Sequence, residues 1–485
     1  MKKVALHNLG CKVNAYETEA MREMLGDAGY EIVPFDGPAD VYVINTCTVT
    51  NIADRKSRQM LHRARRQNPD AIVVAAGCYV QVQEGHGADP CVDVVLGNNR
   101  KKELLRVLEE YEAQKASVKA REEGNRPEMA REEGNRPEME REEGGRPEME
   151  REESGGDENG REDAGGAVST RPVVKDLVDI GRAKEYEDLK IDKSEERARG
   201  YVKVQDGCNQ FCSYCIIPYA RGRVRSRGRE DVVQEVEALA KGGCREVVLT
   251  GIHLSSYGID LADGNDLLSL VLAVHGVEGV ERVRLGSLEP GIITEEFVRA
   301  LAALPKVCPH FHLSLQSGCD ETLRRMNRHY TSGEYYEKCL LLRKYFENPA
   351  LTTDVIVGFP GETEEEFAAS KAFVEKTCFY ETHVFKYSRR EGTRAAAMEG
   401  QVPEQVKSRR SDEMIRLGEQ KQKEYEESLY GRKLEVLVEE ETMAGGRAMW
   451  CGHTREYVKV ALDGDAGMRN RLVKFILTEE TEILH

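Results

Sequence analysis

Apolar residues in the first 112 positions fall into two alternating patterns. Short β-rich runs at Lys3–Asn8, Val41–Asn45, Ala71–Ala76 and Val92–Leu96 read as strands. Between them, Asn14–Ala28, Asn51–Gln67 and Asn99–Glu112 carry the three-to-four-residue spacing of helices. Such alternation predicts a parallel sheet with helices on both faces, an α/β domain of flavodoxin-like type over residues 1–113.

The pattern then stops. Arg121-Glu122-Glu123-Gly124-Asn125-Arg126-Pro127-Glu128-Met129 recurs from Arg131 and, with Gly for Asn, from Arg141. One Met per ten residues cannot build a core, so residues 115–170 read as a disordered acidic repeat insertion. Ordered chain is expected to resume near Arg171.

A second β/α series starts at Arg199. Strands are predicted at Tyr201–Val204, Glu246–Thr250, Arg282–Leu285, His310–Leu315, Thr352–Val357 and Thr382–Tyr387, with helices at Glu230–Lys241, Thr294–Ala303, Gly333–Phe346 and Thr363–Lys376. Six such units fit a partial (β/α)6 barrel over residues 194–424, whose active residues belong on the loops after the strands. Beyond a charged helix at Glu404–Leu429 the period returns to two, as in Lys433–Glu439 and Tyr457–Val460. A small antiparallel β-barrel is expected over residues 427–485.

Composition changes this picture little. Charged residues make up 32% of the chain and the net charge is −16. Between Lys119 and Asp163 lie 17 acidic and 9 basic side chains, half of that net charge, so global acidity says little about partners. No window offers the ~18 apolar residues of a membrane span. The N-terminus lacks the apolar core of a signal peptide, so a cytoplasmic protein with no membrane partner is expected. In that compartment thirteen cysteines point to thiolate ligands or buried thiols, not disulfides.

Cys208, Cys212 and Cys215 stand in one tight loop after a predicted strand. Three thiolates there suit a [4Fe–4S] cluster with one iron left open. A structural zinc site would need a fourth Cys or His nearby, and none follows. Cys11, Cys47 and Cys78 lie far apart in sequence, yet each follows a predicted strand of the first domain. In a parallel sheet those strand ends share one edge, so the three should converge. Three buried structural thiols are the plainer alternative. Cys91 precedes its strand and belongs to the opposite edge.

The run Gly207-Cys208-Asn209 through Cys215-Ile216-Ile217-Pro218-Tyr219-Ala220-Arg221-Gly222 resembles the radical S-adenosylmethionine (SAM) methylthiotransferase family. So do Ser314-Leu315-Gln316-Ser317-Gly318, Asp354–Glu362 and Tyr387–Thr393. The resemblance spans nearly the whole chain outside the repeats. It implies two [4Fe–4S] clusters, one on each cysteine triplet, and SAM as both methyl donor and radical source. It also implies a low-potential electron donor such as flavodoxin, and leaves the sulfur donor open. The last domain resembles the RNA-binding TRAM module, with Trp450, Arg455, Tyr457 and Lys459 as candidate contacts.

Around SAM, the strand-end positions suggest Ser255, Ser287, Glu289, Gln316 and Asp354, with Tyr214 of the cysteine loop against the adenine. Arg55, Lys56 and Arg58 crowd the helix after Cys47, and Arg221, Arg223 and Arg225 alternate after the other cysteine loop. Both groups are candidate RNA phosphate contacts beside the expected clusters, with a solvated face as the ordinary alternative. Three subfamilies share this plan, acting on threonylcarbamoyladenosine or isopentenyladenosine of tRNA, or on a ribosomal-protein aspartate. Gly10–Glu19, Asn45–Asn51 and Cys212–Gly222 look most like the first, whose target is adenosine 37 of the anticodon loop.

Overall fold

The computed structural model describes residues 1–83, 89–124, 171–191 and 198–485. Its N-terminal domain contains β1 (Lys3–Asn8), α1 (Lys12–Asp27), β2 (Glu31–Ile32), β3 (Val41–Thr46), α2 (Asn51–Gln67), β4 (Ile72–Gly77), α3 (Cys78–Val82), β5 (Val94–Leu96), α4 (Leu104–Gly124) and β6 (Val174–Asp176). The six strands pair in parallel in the order β2-β1-β3-β4-β5-β6. β3 and β4 are buried at every position, as strands covered on both faces should be, and β4 reads as an apolar run while β3 closes on the buried polar Asn45 and Thr46.

Two boundaries differ from expectation. Helix α4 runs to Gly124, so the first ten residues assigned to the disordered insertion are helical. Ala113 to Glu123 contains no Gly or Pro and is rich in Ala, Lys, Glu and Gln, all good helix formers. The rest of the insertion, residues 125–170, lies outside the described residues. Residues 174–176 then return to the first domain as its edge strand, register Val94 to Val174.

The second unit carries β7 (Arg199–Asp206), α5 (Ile217–Arg221), β8 (Arg225–Ser226), α6 (Arg229–Lys241), β9 (Glu246–Gly251), α7 (Leu267–His275), β10 (Arg282–Leu285), α8 (Glu295–Ala302), β11 (His310–His312), α9 (Asp320–Arg325), α10 (Ser332–Tyr345), β12 (Ala350–Val357), α11 (Glu364–Thr377) and β13 (Glu381–Lys386). β7, β9 and β10 pair in parallel, as do β11, β12 and β13. Parallel bridges Val283–Val307 and Leu288–Leu313 join the two groups into one open arc of six strands. Short β8 closes one edge in antiparallel fashion. Helix α12 (Glu404–Glu427) leads to β14 (Lys433–Ala444), β15 (Arg447–Thr454), β16 (Lys459–Leu462), β17 (Leu472–Ile476) and β18 (Glu482–Ile483). These form an antiparallel sheet in the order β17-β14-β15-β16-β18, with a bulge between Val438 and Glu440.

Buried polar contacts lock the first domain to the barrel. Tyr16 donates to the Leu189 carbonyl at 2.5 Å and to Glu235 at 3.1 Å, while Asn98 donates to the Ala220 carbonyl at 2.8 Å. Arg390 binds Asn51 and Asp54, each at 2.6 Å, and Thr48 at 2.7 Å.

Candidate active site

The Cys208 loop is built by sterics first. Gly207 has φ +72°, and a Cβ there would sit 1.8 Å from the Arg223 carbonyl oxygen, so only glycine can start this turn. The segment after α9 then holds the loop. Ser213 N–H donates to the Met326 carbonyl at 3.0 Å and its Oγ to the Arg325 carbonyl at 2.8 Å, and Asn327 Nδ2 donates to the carbonyls of Gln210 and Phe211. Cys208, Cys212 and Cys215 all face one cavity of about 320 Å³ at the strand ends.

The second triplet converges at the sheet edge as the topology requires. Gly10 has φ +110°, and a Cβ on it would lie 3.0 Å from both Cβ and Sγ of Cys47, which fixes how closely the Cys11 and Cys47 loops approach. Asn14 ties these loops together by donating to the carbonyls of Leu9 at 2.7 Å and Thr46 at 3.0 Å. Ser57 Oγ donates to the Cys47 carbonyl and accepts from its N–H. Asn98, after β5, points its amide at Cys78 Sγ, 3.4 Å away.

All thirteen cysteines are free thiols. Burial pushes Cys208 and Cys47 up to about 11 and Cys215 up to about 12, and raises Cys11 as well. Such thiols stay protonated at neutral pH until a metal displaces the proton. Donors stand beside the other two sulfurs: Asn98 at Cys78, and the Arg328 guanidinium 3.3 Å from Cys212 Sγ. Three converging thiols with a cation alongside fit an iron–sulfur cluster carrying one open iron.

Of the residues expected around SAM, Tyr214, Ser287, Glu289, Gln316 and Asp354 line this cavity. Ser255 does not. Its Oγ accepts from the Glu289 N–H at 2.8 Å, so it supports the wall from behind. Sequence reasoning missed Arg328 and His253. Arg328 donates to Glu289 at 2.5 Å as well as touching Cys212, and His253 Nε2 lies 3.7 Å from the same Glu289 oxygen. Burial would raise the Glu289 carboxyl, but His253 and Arg328 together hold it below its ordinary value. Arg328 belongs to no motif or predicted strand end, whereas His253 follows the predicted strand Glu246–Thr250 more closely than Ser255 does and is open to the same reasoning.

The expected RNA-contact arginines divide sharply. Arg55, Lys56, Arg58 and Arg223 are exposed. Arg221 and Arg225 are buried and turned inward. Arg221 bonds Glu17, Asp206 and Asn14, and Arg225 faces Asp206 at 3.8 Å. Period-two alternation would put all three of Arg221, Arg223 and Arg225 on one face, but Arg221 ends α5 and Gly222 turns at φ +73°, so Arg223 is left outside while Arg221 and Arg225 meet buried carboxylates. In the C-terminal sheet Arg455 donates to the carbonyls of Pro305 and Val307, and Tyr457 stacks between His310 and His453 at 4.6 Å from each, so both serve the contact with the barrel.

Thr50 and Val49, just after Cys47, line the Cys208 cavity. Cys11 lines a second cavity, which shares Ser287 and Asp354 with the first. The Cys208 triplet and Cys11 of the other triplet therefore open on adjoining space. Residues 202–374 match the radical SAM superfamily, and residues 3–97 match a group described as uncharacterized protein family UPF0004. The chain is 39% identical over 478 residues to the threonylcarbamoyladenosine tRNA methylthiotransferase MtaB of Bacillus subtilis, covering 98% of this chain and 93% of that one. The chain belongs to the radical SAM methylthiotransferase family. It is 38% identical to MtaB of Aquifex aeolicus, over 90% of this chain and 93% of that one. It is 34% identical to the tRNA-2-methylthio-N(6)-dimethylallyladenosine synthase of Moorella thermoacetica, over 97% and 94%. Among solved structures it is similar to the radical SAM methyltransferase TsrM of Kitasatospora setae, at 16% identity, 81% and 74% coverage and TM-score 0.49. As a radical SAM methylthiotransferase this enzyme uses SAM and [4Fe–4S] clusters.

Proposed function

We propose that the enzyme transfers a methylthio group to C2 of N6-threonylcarbamoyladenosine (t6A) at position 37 of tRNA. The observation that carries this reading is that the Cys208 triplet lines one cavity and Cys11 of the other triplet lines the adjoining one, in a chain whose nearly full-length similarity extends to MtaB of two organisms. Cys208, Cys212 and Cys215 hold the cluster that binds SAM, and Cys11, Cys47 and Cys78 hold the auxiliary cluster. When bound, these groups supply the electron, the methyl group and the radical needed at a C–H bond too weakly acidic for a side-chain base.

The chain's own residues bind and orient. Tyr214, Glu289, Gln316 and Asp354 shape the SAM cavity, with Arg328 setting the charge at Cys212 and the position of Glu289. Exposed Arg55, Lys56 and Arg58 follow the Cys47 loop, and exposed Arg223 follows the Cys208 loop, so phosphates bound there would bring the anticodon loop to the cavity mouth. A cytoplasmic location and a low-potential electron donor such as flavodoxin go with this reading.

Anaerobically reconstituted enzyme, SAM and a low-potential reductant, incubated with an anticodon stem-loop carrying t6A37, test it. Mass spectrometry of the digested RNA is expected to show the 2-methylthio derivative. Product only on isopentenyladenosine RNA, or no product, contradicts it.

A further inference from the structure

The second cavity encloses about 270 Å³ and takes its walls from all three domains. Cys11 and Lys12 come from the first, His312 and His383 from barrel strands, and Tyr457 from the C-terminal sheet. Its two carboxylates each face an imidazole. Asp354 Oδ2 lies 3.3 Å from His312 Nε2, and Glu381 Oε1 lies 3.7 Å from His383 Nδ1. Behind Tyr457, Arg284 bonds Glu246 at 2.9 Å and Arg199 faces Glu439 at 3.4 Å.

Lys12 is different. Its Nζ lies 5.9 Å from the centre of the Tyr457 ring, which also carries the guanidinium groups of Arg284 at 4.7 Å and Arg199 at 5.5 Å. Among the described residues it has no ion pair and no hydrogen bond of its side chain. An ammonium with no partner in contact, beside two guanidinium groups and with Glu381 on the same cavity wall but beyond ion-pair distance, has room to pair with an anionic ligand. That ammonium stands next to Cys11, at the junction with the SAM cavity.

We propose that Lys12 is a specificity-determining residue that pairs with the carboxylate of the threonylcarbamoyl arm, which enters this second cavity where it adjoins the SAM cavity. The inference rests on the t6A reading above. The arm ends in a carboxylate and also carries a hydroxyl and urea N–H and C=O groups, for which the His383 imidazole is at hand in the same cavity, while His312 Nδ1 shares a hydrogen bond with Thr352 Oγ1 at 3.0 Å. An isopentenyl arm has no polar atom. It would bury the Lys12 ammonium against hydrocarbon, so one side chain both attracts one substrate and disfavours the other. A backbone phosphate of the RNA could offer Lys12 the same anionic chemistry, and the two sources separate by experiment.

Reconstituted holoenzyme, wild type and Lys12→Met, is titrated with two anticodon stem-loops. One carries t6A37 and the other its neutral N-methylamide. Kd is read by fluorescence anisotropy, alongside KM and kcat. Wild type is expected to bind the t6A loop about tenfold or more tighter than the amide, and Lys12→Met to erase that preference while holding the amide within about twofold of wild type. Lys12→Arg is expected to retain the preference. Iron is counted in each variant, and Lys12→Gln serves the same comparison where Lys12→Met loses iron. Equal weakening of both loops assigns Lys12 to a phosphate and overturns the proposal, as does no weakening of either. Wild-type enzyme that distinguishes the loops in binding but methylthiolates neither overturns the t6A reading instead.

Discussion

Arg221 sets its guanidinium against the Glu17 carboxylate, with Nη1 2.9 Å from Oε1 and Nη2 3.0 Å from Oε2, and both side chains are wholly buried. Lys101 and Lys203 reach the same carboxylate, at 3.2 and 2.8 Å. Glu17 belongs to the first domain and Arg221 to the helix that follows the Cys208 loop. The pair therefore fixes one cysteine triplet relative to the other.

Arg221→Met removes one partner and leaves Glu17 and Asp206 with less compensation in the interior. A loss of about 3–5 kcal/mol is expected, seen as a lower thermal midpoint. An unchanged midpoint accompanied by weaker RNA binding would instead make Arg221 an RNA contact.

Acid should destabilise the fold through Glu246. Burial raises this carboxyl, but Arg284, Arg199 and Arg282 outweigh that and hold it at about 2, against an ordinary 4.5. Because the folded value is the lower one, its contribution is complete above about pH 4.5 and is lost as pH falls toward 2. The difference corresponds to about 3 kcal/mol. Glu246→Gln should flatten that part of a urea-denaturation profile against pH. A profile as steep as wild type contradicts the assignment.

Much of the site was legible in the sequence because topology did the work. Cys11, Cys47 and Cys78 each follow a strand, and parallel strands end on one edge, so convergence needed no knowledge of loops. Strand position tells less about side. Ser255 and Ser287 both follow barrel strands, yet only Ser287 faces the cavity, since the loop after β9 turns Ser255 behind Glu289. Alternation at Arg221, Arg223 and Arg225 misled, because Arg221 ends a helix and the carboxylates that claim Arg221 and Arg225, Glu17 and Asp206, belong to other elements. Arg328 carried no local signal, as its role depends on α9 folding under the Cys208 loop.

Arg328→Met is expected to weaken SAM binding about tenfold or more while leaving iron content unchanged, since it strips Glu289 of one cation and Cys212 of its charged neighbour. Equilibrium dialysis with labelled SAM measures this. Wild-type affinity in the variant would show that Arg328 only supports the loop.

Neutralising Arg55, Lys56 and Arg58 together should weaken tRNA binding uniformly across sequences and lower the slope of log Kd against log salt by about 2. The slope is measured from titrations at several salt concentrations. An unchanged slope would return these side chains to an ordinary solvated face.

Two cluster sites, one on each cysteine triplet, are tested most directly by iron content after anaerobic reconstitution. Wild type is expected to hold about eight irons per chain, and about four when either Cys11, Cys47 and Cys78 or Cys208, Cys212 and Cys215 are all replaced by Ala. About four irons in wild type, lost entirely with one triplet and untouched by removal of the other, would contradict a two-cluster enzyme.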